Sequence, residues 1–273
     1  MRTSTNLTTQ NLKLSYALSL AIALLMTVVS LAGLFSQSSL YPSEELRRSF
    51  VSNDLVNIFI GLPILLGSMW LTRRGVLIGL LFWPGALFYV AYNYIAYAVA
   101  MPFTFQFIIY LLLVFWSLYG AWRLLSGMDS TVVQQRLKGA VPERFAGGVL
   151  AGLGTLFFLW RTSLVLSALT GGTTLAKPEL GVVVADLLTT PIWVIGGVML
   201  WKRRPFGYLT GAGLLFLGSM LFIGLLVFFI LQPFLTEVPF PVSDFVVVLV
   251  MGLICFVPFG LFVRGALSSE AGI

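Results

Sequence analysis

Residues 146–170 read AGGVLAGLGTLFFLWRTSLVLSALT, a stretch with one charge, Arg161. An apolar run of this length crosses a hydrocarbon core of about 30 Å as an α-helix. Arg161 has a dozen apolar neighbours before it and several after, so no reading leaves it comfortably in water. Counting from Phe145, the helix rises about 24 Å by Arg161, which puts the guanidinium roughly 6 Å below the outer edge of the core. An unpaired charge is costly even at that depth, so a partner is expected.

Comparable runs recur along the chain. The expected spans are 14–35, 54–71, 76–99, 104–125, 146–169, 181–201, 206–231 and 242–263. The 273 residues are 59% hydrophobic and only 10% charged, with a mean hydropathy of +0.99. A soluble domain carries about 25% charged residues. The expected fold class is therefore an all-α polytopic membrane protein with eight transmembrane helices. Strands alternating in polarity, which a membrane β-barrel needs, are nearly absent. The basic start before the first run could belong to a signal peptide, but the run is long and no small-x-small cleavage site follows. It is read as a retained helix.

Lys and Arg in short loops orient such a bundle. With the N-terminus inside, Arg2, Lys13, Arg73, Arg74, Arg123, Arg136, Lys138, Arg144, Lys202, Arg203, Arg204 and Arg264 fall on the cytoplasmic face. Arg47, Arg48 and Lys177 fall outside, together with Glu44, Glu45, Asp54, Glu179, Asp186, Glu237 and Asp244. Both termini are expected in the cytoplasm, and the location is the multi-pass plasma (inner) membrane of a prokaryote. The net charge of +6 then reads as an orientation signal. Arg73, Arg74, Arg203 and Arg204 would favour anionic inner-leaflet lipid, and no nucleic-acid footprint is inferred.

The chain also reads as two parallel four-helix repeats, 1–125 and 146–273, joined by a basic cytoplasmic linker, 126–145. Asp54 and Asp186 each open the second helix of a half, Pro63 and Pro191 lie within those helices, and Arg73-Arg74 and Arg203-Arg204 end them. An even number of spans per unit makes the copies parallel.

Arg161 and Asp186 form the candidate intramembrane pair, because Asp186 lies at a similar depth on the adjacent helix and Val182-Val183-Val184 before it suggest that the helix has already begun. Asp54 and Asp244 follow Ser52-Asn53 and Ser243 and read as helix N-terminal groups favoured by the dipole. Tyr89, Tyr92 and Asn93 share one helix face, and with Asn57 they are candidates to line an outward-facing polar pocket. Pro84 with Gly85 marks an expected mid-helix kink. Pro258 lies inside the last span, and Gly147, Gly148, Gly152 and Gly154 suit close helix packing.

The chain has no histidine and one cysteine, Cys255. Histidine-ligated haem, cysteine-ligated zinc, iron–sulfur clusters and triads that need histidine lack their residues. No cofactor and no metal are expected. The preferred function is a non-enzymatic accessory protein, sensor or lipid-binding scaffold. The alternative is a small permease or channel with a site around Arg161 and Asp186, and a membrane enzyme comes third. A membrane-protein partner or a second copy of the chain is compatible with either of the first two, with the ligand left open.

Overall fold

The computed structural model describes residues 11–271, with side chains through residue 269. Arg2, placed in the cytoplasmic tail from the sequence, lies outside the described residues. Among the described residues the chain is helical and contains no strand. The elements are α1 (Lys13–Phe35), α2 (Gln37–Leu40), α3 (Glu44–Val56), a π-turn (Asn57–Gly61), α4 (Leu62–Arg73), α5 (Leu77–Ala100), α6 (Phe105–Gly127), α7 (Ser130–Leu137), α8 (Glu143–Gly171), α9 (Lys177–Trp201), α10 (Pro205–Leu235) and α11 (Val242–Ala271). Eight helices among the described residues are long and apolar enough to cross a membrane. One of them is the continuous helix Glu44–Arg73, made of α3, the π-turn and α4.

The helix starts differ from expectation in three places, each for a local reason. Residues 37–53 read as a polar loop, yet α3 begins at Glu44. Ser43 is extended and its Oγ accepts the Leu46 N–H at 3.3 Å, while Glu44 and Glu45 complement the dipole in the first turn. Arg48 pairs with Glu44 one turn on. Asp54 is therefore an interior residue and not a cap. Secondly, α9 starts at Lys177, ahead of the expected 181, with Pro178 in its first turn. Asp186 accordingly lies well inside the helix.

The third correction concerns 126–144, expected to be a polar connection. It contains α7, whose Val133 and Leu137 are fully buried. Asp129 caps it, accepting from the Thr131 hydroxyl at 2.5 Å and from the Thr131 and Val132 amides at 2.9 and 3.3 Å. Those bonds hold the Asp129 carboxyl below its usual range. Behind α7, Glu143 is 5% exposed and accepts from the Tyr208 hydroxyl at 2.8 Å and the Gly139 amide at 2.9 Å. Gln134 donates to the Arg203 carbonyl at 2.7 Å, tying α7 to the α9–α10 turn. At the other end of the chain, α11 continues to Ala271, past the expected end at 263.

The π-turn immediately precedes Pro63, in the first turn of α4. Proline lacks the N–H that an α-helix uses there, and one wider turn accommodates the loss while rotating the faces that follow. Pro84, Pro191 and Pro258 all lie inside helices that continue on both sides.

The centre of the bundle is the crossing of α5 and α10. A Cβ on Gly85 would stand 2.9 Å from the Gly213 carbonyl carbon and 3.0 Å from its Cα, so the two backbones meet directly. Phe82 stacks on Phe216 beside this crossing, with ring centroids 4.4 Å apart. Around this centre α5 also packs on α4, α6 and α9, α9 packs on α8, and α1 packs on α6. Buried Trp83 donates from Nε1 to Ser19 Oγ at 2.9 Å and lies against Tyr16. Trp83→Phe is expected to lose about 1 kcal/mol through that bond, measured by equilibrium unfolding in micelles. An unchanged stability would show that the bond contributes nothing net.

Candidate functional site

Helices α3, α5, α8, α9 and α10 enclose a cavity of about 380 Å³ at the end of the bundle that carries Glu44, Glu45 and Glu179. That volume suits a small organic molecule. Its walls come from residues 49–96 on one side and 157–228 on the other. Phe157, Trp193, Phe222, Leu225 and Phe228 make one part apolar. Arg161, Asp186, Tyr92, Asn93 and Thr190 make another part polar.

Arg161 and Asp186 meet directly, with Arg161 Nε donating to Asp186 Oδ2 at 2.6 Å. The other carboxylate oxygen accepts from the Tyr92 hydroxyl at 2.8 Å. Asp186 is 9% exposed, and this pairing satisfies a charge that would otherwise be costly to bury. The Trp160 ring lies 4.4 Å from the guanidinium carbon, adding a cation–π contact. Only Nε of Arg161 donates to a protein acceptor among the described residues. The fork of terminal nitrogens, four N–H groups, is free of such acceptors, and Arg161 lines the cavity. The indole N–H of Trp193, on the same wall, also lacks one.

Tyr89 and Asn93 join Tyr92 on the cavity wall. Asn93 Nδ2 donates to the Tyr89 carbonyl at 2.9 Å, which leaves its Oδ1 as an acceptor. Asn57 is not on that wall. It is completely buried in the π-turn, and neither its amide nitrogen nor its oxygen has a partner.

A second polar centre lies on another face of α3, and sequence reasoning missed it. Asp54 is 1% exposed and accepts from the Tyr41 hydroxyl at 2.5 Å and the Tyr97 hydroxyl at 2.8 Å. Burial, followed by the adjacent Asp54 carboxylate, pushes the Tyr41 phenol far above its usual range. The Tyr94 hydroxyl lies 3.4 Å from Ser30 Oγ. Gly33 of α1 closes the chamber, and a Cβ there would overlap Asp54 and Tyr41.

Among the described residues no group of three or more His, Cys, Asp or Glu converges as metal ligands would. Cys255 is buried, with its sulfur 3.6 Å from Ser219 Oγ. The cavity combines an apolar wall, a guanidinium fork without protein acceptors, and carboxylates beside it. Comparison with known protein families, with curated proteins and with solved structures finds no match to this chain. The fold alone defines its class, a multi-pass α-helical membrane protein.

Proposed function

We propose that this protein is a non-enzymatic, lipid-binding membrane scaffold whose cavity holds the head region of a zwitterionic amphiphile. The observation that carries this reading is the guanidinium of Arg161, which gives one of its five N–H groups to protein and faces a cavity that is otherwise largely apolar. One cation, Arg161, and two carboxylates, Asp186 and Glu179, line that cavity. A purely anionic ligand would meet repulsion from the carboxylates. A zwitterion places its anionic group on the Arg161 fork and its ammonium towards Glu179, with apolar chains along Phe157, Phe222 and Leu225.

The wider setting belongs to the same reading. The protein sits in the plasma membrane of a prokaryote with both termini in the cytoplasm, and its Arg73, Arg74, Arg203 and Arg204 rim contacts anionic lipid. Its eight spans form two parallel repeats. Support comes from a constant register of 128 residues (191 less 63, 207 less 79, 213 less 85) joining Pro63 to Pro191, Gly79 to Gly207 and Gly85 to Gly213. The last pair meets at the centre of the bundle, where an axis relating two copies would pass.

The test is lipid retention by native mass spectrometry after delipidation and titration with phosphatidylethanolamine, phosphatidylglycerol or oleate. Phosphatidylethanolamine is expected to bind at least tenfold more tightly than the other two. Leu225→Trp, which fills the cavity from its apolar side, is expected to abolish the preference without unfolding the protein. Equal binding of all three, or binding unaffected by Leu225→Trp, removes this reading.

A permease is the second reading, favoured because the cavity wall draws on both halves of the chain. It requires cysteines placed at cavity positions to react with membrane-impermeant thiol probes from either side, depending on ligand. The scaffold reading requires reaction from one side only.

A further inference from the structure

The second polar centre poses an unanswered question of charge. Asp54 is more completely buried than Asp186, yet it forms no ion pair among the described residues. The elements packed around it bring no positive charge to meet it. From α1 come Ser30 and Gly33, from the segment after α2 Tyr41, from α5 Tyr94 and Tyr97, and from α6 Tyr110. Helix α10, packed on α3, contains no Asp, Glu, Lys or Arg. Helix α9 brings Asp186, matched by Arg161, with Lys177 and Glu179 in its exposed first turn. On α3 itself Glu44 and Arg48 pair with each other, and Glu45 and Arg47 lie near the helix start.

The other half offers a contrast. In the 128-residue register proposed above, the position equivalent to Arg161 is Gly33 (161 less 33), while Asp54 and Asp186 (186 less 54, or 132) stand four residues out of that register. Where one half sets an arginine against the acid of its second helix, the other sets a residue with no side chain, and the Tyr41 hydroxyl occupies the space. A second, independent anomaly lies three residues along the same helix. Asn57 is 0% exposed, and it brings a donor and an acceptor that no protein group uses. Buried amides without partners are rare and costly, and π-turns recur at functional positions in helices.

We propose that the chamber formed by Asp54, Tyr41 and Tyr97, with Asn57 three residues along the same helix, is a proton-binding site. An O–H bond forms on the Asp54 carboxylate as one O–H bond of an aqueous hydronium ion breaks and releases water, and no electrons change hands. The proton supplies the positive charge that no side chain provides. Tyr41 and Tyr97 already donate to the two carboxylate oxygens, so the added hydrogen needs a further acceptor. The Ser30 hydroxyl, which also interacts with Asp54, and the unpartnered Asn57 amide oxygen three residues along the helix are the acceptors at hand. Phe50 lines the cavity and packs on Tyr97, with ring centroids 4.4 Å apart, so α3 stands between this chamber and the cavity.

The test is infrared difference spectroscopy of the full-length protein in lipid nanodiscs, with ¹³C-labelled aspartate to assign the carboxyl absorption. An exposed aspartate is ionised above about pH 5. The wild type is expected to keep a protonated-carboxyl absorption at pH 7 that fades as the pH is raised. Asp54→Asn should remove that absorption, and Asp244→Asn should leave it. Tyr97→Phe, which preserves the carboxyl group and serves if Asp54→Asn does not fold, should shift its frequency, whereas Tyr92→Phe should not. Asn57→Ala should change the proton concentration at half-occupancy by about tenfold or more. An Asp54 carboxylate ionised throughout that range overturns the proposal. So does an absorption that sodium chloride removes at constant pH, which would assign the site to a metal cation. Insensitivity to Asn57→Ala removes Asn57 from the site.

Discussion

Arg161→Met is expected to destabilise the protein by about 3–5 kcal/mol, the largest effect of any single replacement on the cavity wall. The methionine fills much of the volume but leaves the Asp186 carboxylate with only the Tyr92 hydroxyl. Removing one partner of a buried pair is worse than removing both, because the remaining charge has no compensation. Arg161→Met with Asp186→Asn should therefore be more stable than Arg161→Met alone. Equilibrium unfolding of the two single variants and the double variant in mixed micelles forms a double-mutant cycle. Additive losses would show that the two side chains are merely neighbours, and the pairing would have to be abandoned.

Gly85→Val should cost about 3 kcal/mol, at the upper end for overpacking of a tight interior. A side chain there must force the α5 and α10 backbones apart, since the nearest atoms are main-chain atoms of Gly213 and cannot turn aside. Gly148 and Gly152 provide the control, because a Cβ at either meets nothing within 4 Å. Alanine at those positions removes backbone freedom from the unfolded chain and should stabilise by about 0.5–1 kcal/mol. The same unfolding measurement separates the two cases. A Gly85→Val protein as stable as the parent would mean that α5 and α10 do not cross at this point.

Most of the fold was legible because lipid imposes a simple rule: a helix that crosses it must be long and apolar, and such runs stand out. The Arg161–Asp186 pairing was legible for a related reason, since a charge far from water needs a partner nearby. Asp54 was not, because its polar surroundings in the sequence invited a surface reading. Ser52-Asn53-Asp54 looks like a helix beginning, but the real beginning was written ten residues earlier in Pro42-Ser43-Glu44-Glu45, a capping serine followed by two acids. Extending the helix back to Ser43 turns Asp54 into an interior residue. Its tyrosine partners could not be foreseen, since Tyr41 and Tyr97 meet it through tertiary packing, and the aromatic belt explains such tyrosines equally well. The π-turn left no periodic trace, because one wide turn in thirty residues barely disturbs the apolar pattern.

The stretch quoted at the outset is now helix α8. Its last buried residue is Gly154, and beyond it the helix runs half-exposed along α9, with Phe157 against Phe222 and the Arg161–Asp186 pair among its contacts. Its backbone meets Gly197 and Trp201 at Gly147, and its ion pair lies two-thirds of the way along, at Arg161. Whatever competes with Asp186 for the guanidinium would therefore draw on the pair that joins α8 to α9 at the cavity wall.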